Sequence, residues 1–361
     1  MSAVEFAPTA PLENLRRRAA LYHEIRSYFD SLDFVEVSTP TLSRDVVVDR
    51  FVESIPVEVS RCWPERDELA RIRFEDEAEA RRMASTFYLQ TSPEFAMKRL
   101  VAAGMPAIYQ LAPAYRRGDR GSLHNVEFTM LEWYRAGDDY LAGRKLLADI
   151  VAEVGKAFYA RTGLTPQSWS TRRTTERSFG EAFETLTGLN PHASDIPTLK
   201  AYADGRGIAY PDSYAEPGGA ATKDDWLDLI FSEVVQPTLG HDAPTLIYDY
   251  PASQSQLART GEANGYEVTR RFELFVNGIE LANGYDELLD ASVLRARIAS
   301  VSEERRLDGS PALPRESRLL AAMDSGLPPC SGCAMGVDRL LCVLLGTDRI
   351  DDVIAFPTEL A

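Results

Sequence analysis

An α+β fold, with antiparallel strands flanked by helices, is the class this sequence predicts, and three observations carry the prediction. From His124 to Arg135 the chain alternates with period two, so Phe128, Met130, Glu132 and Tyr134 share one face of a strand. Asn277-Gly278 separates two apolar runs and is the strongest short hairpin signal available. Two long segments, about 12 to 30 and about 146 to 158, repeat their apolar residues at helical spacing instead.

In chain order, Leu15, Ala19, Tyr22 and Phe29 lie on one face of the first helix, which ends near Asp30-Ser31. Phe34 to Val37 then alternates as a short strand stopped by Pro40. Residues 64–83 are highly charged with little apolar periodicity and read as a solvated loop or short surface helix. Ser92 and Pro93 form a helix start, with Glu94 placed in the first turn where the dipole favours it. The central segment reads strand, loop, strand: Arg116, Arg117 and Arg120 surround a flexible turn ahead of the alternating stretch. Burying Glu132 in a pleated face costs roughly several kcal/mol unless a cation meets it. The segment therefore reads as a basic mouth over an acidic floor.

Leu146, Leu147, Ile150, Val151, Val154 and Phe158 mark the second long helix. Residues 163–223, rich in Pro, Gly, Ser and Thr, read as an insertion with weakly helical pieces, and Trp226, Leu229, Ile230 and Val234 mark a helix closed before Pro237. Pro244 to Pro251 is a strand with turn residues at both ends. Read as a hairpin, the segment around Asn277-Gly278 brings Glu273 towards Glu280, a carboxylate pair suited to a magnesium ion bridging phosphates. Two helices follow, about 290–306 and about 315–324, and then small residues from Gly332 run into a final helix that begins near Arg339.

The 361 residues suffice for one large domain, and 45% hydrophobic with 26% charged content is that of a soluble globular protein. The sequence has no apolar run of about eighteen residues and no signal-like start, so a cytoplasmic location is expected. Cys62, Cys330, Cys333 and Cys342 are too scattered for a disulfide framework, and Cys330-Ser-Gly-Cys333 lacks the second pair a zinc site needs. A net charge of −16 argues against a broad nucleic-acid footprint and suits either a basic protein partner or plain solubility.

These segments resemble, in the right order, the lysyl branch of the class II aminoacyl-tRNA synthetases. The helix and Phe34-x-Glu36-x-x-Thr39-Pro40 are similar to motif 1; Arg116, the loop and His124-Asn125-x-Glu127-Phe128-Thr129-Met130-Leu131-Glu132 to motif 2; and Gly336-x-Asp338-Arg339 to motif 3. The resemblance implies a class II-type antiparallel sheet in a single catalytic domain over 1–361, using ATP and Mg2+ to form an aminoacyl adenylate. With about a dozen residues before the first helix, no N-terminal anticodon-binding barrel is expected and tRNA is an unlikely partner. Pro251-Ala252-Ser253-Gln254 and Ala334 are similar to the branch that attaches β-lysine to elongation factor P. The implied partners are thus elongation factor P, lysine or β-lysine, and a second copy through motif 1.

The resemblance also implies roles. Arg116 and Arg339 would be catalytic, and Ser92, Pro93, Glu94, Glu132, Tyr134, Glu287 and Ala334 would hold the amino acid. Gly118, His124, Asn125, Phe128, Glu280, Leu281 and Gly336 would join the two arginines around the nucleotide, with Glu273 and Glu280 on magnesium. Two positions depart from the family pattern. Gly118 stands where a carboxylate is usual, with Asp119 the nearest substitute, and Leu123 replaces a residue able to touch phosphate, a task left to Arg117 or Arg120. Activation of α-lysine for another acceptor, and a degenerate binding or regulatory module, stand beside β-lysine activation as readings.

Overall fold

The computed structural model describes residues 6–58, 86–215 and 221–361; the charged stretch 64–83 lies outside them. Helix α1 (Leu12–Asp30) leads into the edge strand β1 (Val35–Glu36), followed by β2 (Leu42–Ser43), β3 (Ile55–Glu58) and β4 (Thr86–Leu89). Helix α2 (Glu94–Ala102) precedes the central pair β5 (Ala107–Tyr115) and β6 (Glu127–Ala136), and α3 (Tyr140–Thr162) follows. Next come β7 (Thr175–Ser178), α4 (Phe179–Thr187), α5 (Ile196–Arg206), α6 (Asp212–Ala215) and α7 (Lys223–Ile230). The rest is β8 (Thr245–Pro251), β9 (Thr260–Ala263), β10 (Tyr266–Val276), β11 (Ile279–Asp286), α8 (Ala291–Leu307), α9 (Arg318–Gly326), β12 (Cys330–Gly336) and α10 (Val337–Leu345).

The main sheet runs β1-β5-β6-β12-β11-β10-β8-β7, with β9 added to β10, and a second small sheet runs β2-β4-β3. Its centre is antiparallel, while β1 on β5 and β7 on β8 are parallel additions at the two ends. Period-two alternation in β6 sets the layers. Leu131 and Trp133 point into the core with Leu21, Ile25 and Phe29 of α1 and Leu147 and Ile150 of α3. Phe128, Met130, Glu132 and Tyr134 line a cavity on the opposite face. Trp133 packs 5.7 Å from the Phe29 ring, and losing such a buried indole costs about 3–5 kcal/mol.

The hairpin turn forms at Asn277-Gly278, both with positive φ (51° and 74°), as a two-residue turn of this twist demands. The segment read as an insertion, together with α7 after it, packs more closely than its loop-rich composition suggests. Its β7 extends the main sheet, and α4, α5 and α7 bury Phe183, Leu199 and Trp226 in a separate core with Ile247, Tyr250 and Phe275 of β8 and β10. Sparse apolar residues suffice there because the sheet supplies the other half of the core. Cys330 and Cys333 are buried in β12, and burial pushes the Cys330 thiol up to about 12, so they act as small apolar residues.

Candidate active site

One cavity of about 370 Å³ gathers most of the residues singled out in the sequence. Its wall includes Ser92, Glu94, Arg116, His124, Asn125, Phe128, Glu132, Tyr134, Glu280, Leu281, Glu287, Ala334, Gly336 and Arg339. Their strands converge because β12 lies between β6 and β11, with Ala334 opposite both Glu132 and Asn283. Gly332, two residues earlier on the same strand, must lack a side chain: a Cβ there would collide with the Tyr134 ring and the Glu287 carboxylate.

The floor is acidic and dry. Glu132 is 1% exposed and accepts hydrogen bonds from Ser92 Oγ (2.8 Å) and Tyr134 Oη (2.6 Å). Burial first, then the nearby Glu94 charge, push its carboxyl up to about 8. Glu287, equally buried, is likewise pushed up to about 8 by burial, against the opposing pull of Lys98. Lys98 ion-pairs with Glu287 and lies 2.6 Å from Glu94 Oε1. It sits behind the wall, 1% exposed, and sequence reasoning gave it no role although Glu94 and Lys98 stand four residues apart, on one helical face.

The rim is basic. Among the described residues Arg116 has no carboxylate partner, its buried Nε has no hydrogen bond, and its guanidinium lies 5.1 Å from the Phe128 ring centroid. Arg339 donates from Nη1 to the Glu280 carbonyl (2.9 Å), and its Nη2 lies 2.6 Å from His124 Nε2. Burial and then the Arg339 charge hold the His124 pKa below its ordinary value, so the imidazole is neutral at pH 7. The helix carrying Arg339 is fixed by Asp338, which ion-pairs with Arg18 of α1 and accepts from the Thr129 amide (2.7 Å).

Pro93, Gly118 and Glu273 are not brought to this wall. Pro93 caps α2 and faces a neighbouring cavity, and Gly118 lies on an exposed turn at φ 80°, where its freedom of backbone is what the loop uses. Glu273 is buried behind the wall, ion-paired with Arg271 and accepting from Tyr250 Oη (2.6 Å). Asp119 does reach the cavity, as does Leu123. Arg120 is turned away from it, held by Asp351 (3.1 Å) and Glu359 (2.5 Å), and Arg117 is exposed 3.8 Å from Glu53. Asn125 uses its amide structurally, donating to the Glu127 carbonyl (2.7 Å) and accepting from Thr358 (3.1 Å).

A polar row was missed by sequence reasoning. Arg271 Nε donates to Asn283 Oδ1 (3.2 Å), Asn283 Nδ2 donates to Tyr285 Oη (3.0 Å), and Tyr285 Oη donates to Gln256. The signal was present: Asn283, Tyr285 and Glu287 alternate with period two and all line the cavity. Gln256 follows the Ala252-Ser253-Gln254 segment, whose Gln254 donates to Asp228 of α7 (2.8 Å).

A family model described as tRNA synthetases class II (D, K and N) matches residues 64–360. An elongation factor P–(R)-β-lysine ligase of Vibrio cholerae serotype O1 is 37% identical over 361 residues, covering 99% of both chains. The protein of the same name from Yersinia pestis (strain Pestoides F) is 36% identical over 354 residues, covering 98% of both. With its antiparallel sheet, its paired rim arginines and these matches, the chain belongs to the class II tRNA synthetase family.

Proposed function

We propose that this protein activates (R)-β-lysine with ATP and transfers the β-lysyl group to a lysine side chain of elongation factor P, the reaction named for its relatives. The observation that carries the reading is the charge of the floor. Glu94, Glu132 and Glu287 offer three carboxylates against the single ammonium of Lys98, leaving two negative charges when all are ionised. A substrate with two ammonium groups balances them, and buried carboxylates reject ligands that cannot pair with them.

In the first step a substrate carboxylate oxygen bonds to the α-phosphorus of ATP, the bridging P–O bond breaks and pyrophosphate leaves. Such a step needs positioning and charge neutralisation more than a proton-transfer group. Arg116, without a carboxylate partner at the rim, bridges the substrate carboxylate and the α-phosphate, and Arg339 holds the distal phosphates. Phe128 and the aliphatic stem of Arg339 enclose the adenine, with His124 and Asn125 shaping its edge. In the second step the acceptor amine attacks the acyl carbon, the C–O bond to phosphate breaks, AMP leaves and the amine loses its proton.

Of the carboxylate pair expected to hold magnesium, Glu280 lines the cavity and Glu273 lies behind it. Glu280 is on the wall, 39% exposed, with Arg339 at 3.7 Å as its ion-pair partner among the described residues, and burial first, then the Glu280 charge, push the Glu273 carboxyl up. A carboxylate completed by phosphate oxygens and water suits magnesium, and among the described residues no cluster of three or more metal-binding side chains offers an all-protein cage. Glu280 would hold the ion, which would supply charge neutralisation on the phosphates, while Glu273 stays with Arg271 and Tyr250 behind the wall.

A homodimer through motif 1 is part of the same reading, supported by β1, an edge strand with Val35 48% exposed. The test is mass spectrometry of elongation factor P after incubation with the protein, ATP and β-lysine, alongside ATP–pyrophosphate exchange with β-lysine and α-lysine. A β-lysyl mass increment and exchange favouring β-lysine are expected. Exchange favouring α-lysine displaces the reading towards another acceptor, and no exchange with either leaves a binding module.

A further inference from the structure

Lys98 is a buried ammonium that the reaction does not use directly. It lies behind the cavity wall, in contact with Glu94 of its own helix and with Glu287 just beyond β11. The other groups facing it are the Tyr134 ring, 5.8 Å away at its centroid, and the charges or potential charges of Glu132 and Cys330. Glu132 is held separately by two hydroxyl donors. The fold has thus attached a buried ammonium to two of the three floor carboxylates.

From this geometry we infer that Lys98 is a specificity-determining positioning residue, an internal ammonium that fixes how many positive charges the pocket accepts. Resting on the reading of the floor as a diamino-acid site, the inference is arithmetical: three carboxylates less one ammonium call for two more. A monoamino acid of the same length leaves one buried carboxylate unpaired. Lys98 also orients the two carboxylates it touches, so the oxygen of each that faces the cavity is set by the contact behind it. The ammonium is held in its charged form by Glu287 and Glu94 against the opposing effect of burial, so its charge is constant through the neutral range.

The test combines exchange kinetics with a spectroscopic titration. ATP–pyrophosphate exchange is measured with lysine, β-lysine and norleucine, which lacks the side-chain ammonium, for the wild type, E94Q, K98M and K98M/E94Q. E94Q leaves the floor one negative charge, so its preference for lysine over norleucine falls about tenfold or more. The double variant has two negative charges again and recovers that preference to within about threefold of the wild type. Losses that simply add in the double variant overturn the inference, because a packing role is not rescued by removing a neighbouring charge. Independently, carbon-13 NMR titration of the glutamate carboxyls in K98M, and in K98Q should K98M not fold, is expected to move Glu287 upward by about one pH unit or more. Carboxyls that titrate as in the wild type overturn it too. Should the wild type exchange with no diamino acid, the functional reading falls, and the NMR arm still decides whether Lys98 sets the charge of the floor.

Discussion

Replacing Glu287 by Gln removes one floor charge while changing almost no volume, and the structure dictates where the loss is felt. Glu287 is 1% exposed and ion-paired to Lys98, which keeps Glu94 at 2.6 Å as a remaining partner, so the variant retains a paired ammonium and folds. A diamino substrate then meets only one uncompensated negative charge. Truncating one member of a buried charge pair costs about 2–5 kcal/mol. That corresponds to a rise in the amino-acid KM of roughly 30-fold to a few thousandfold. On the proposed reading ATP would meet the opposite end of the cavity, at Arg116, His124 and Arg339, so its KM should change by no more than about twofold. ATP–pyrophosphate exchange, with each substrate varied at saturation of the other, separates the two constants. Equal increases in both would refute the division into an acidic floor and a basic rim.

Further predictions come from the same geometry. Glu132 stands at about 8 in the empty site, so at pH 7 it holds a proton that an incoming ammonium displaces. Calorimetry in buffers of different ionisation enthalpy should detect on the order of one proton released per diamino acid bound at pH 7, declining as pH rises through about 8 and nearly gone by about 9. The same raised value means that the ligand-free fold loses stability as pH rises from the ordinary carboxylate range through about 8, and a diammonium ligand should flatten that decline in a thermal melt. Ala334→Gly should shift the ratio of kcat/KM for α-lysine over β-lysine upward by about 10- to 200-fold, one methyl being worth about 1–3 kcal/mol in a packed pocket. Arg120→Ala should raise the KM for ATP by no more than roughly fivefold, since pairs this exposed are worth about 0–1 kcal/mol, and should leave the amino-acid KM unchanged. Gly332→Ala should destabilise the fold by about 1–3 kcal/mol and weaken amino-acid binding, because the new methyl displaces Tyr134 or Glu287.

What could be read from the sequence was whatever repeats locally. Period two in β6 separated Leu131 and Trp133, bound for the core, from Glu132 and Tyr134, bound for the cavity, and Asn277-Gly278 fixed the β10–β11 turn. The motif spacing then brought Arg116 and Arg339 together. Interactions between distant segments left no such trace. Arg18 meets Asp338 across 320 residues, and Lys98 meets Glu287 through packing of α2 against the sheet, not through any pattern in either segment. Glu273 was read as a metal ligand because the hairpin places it near Glu280. The β-bulge between Leu274 and Phe275 shifts the register so that Glu273 faces Asn283 and Phe275 faces Glu280, and Arg271 and Tyr250 then enclose the Glu273 carboxylate. The insertion looked loop-like because half its core is borrowed from β8 and β10.

The nucleotide loop is stitched to the far end of the chain. Ile350 donates its amide to the Ser122 carbonyl (2.7 Å), Thr358 binds Asn125, and Arg120 reaches Asp351 and Glu359. Thr9, ahead of α1, in turn donates to the carbonyl of Ala355 (3.0 Å). Contacts of such large sequence separation close slowly, because the entropy of a long loop is lost before they reward it. The β5–β6 pair, joined by a short connection, can zip early, yet its tip acquires a fixed shape only when residues beyond α10 arrive. Competence to bind ATP should therefore mature late in folding, well after the hairpin that carries Phe128, Glu132 and Tyr134 has gained protection from hydrogen exchange.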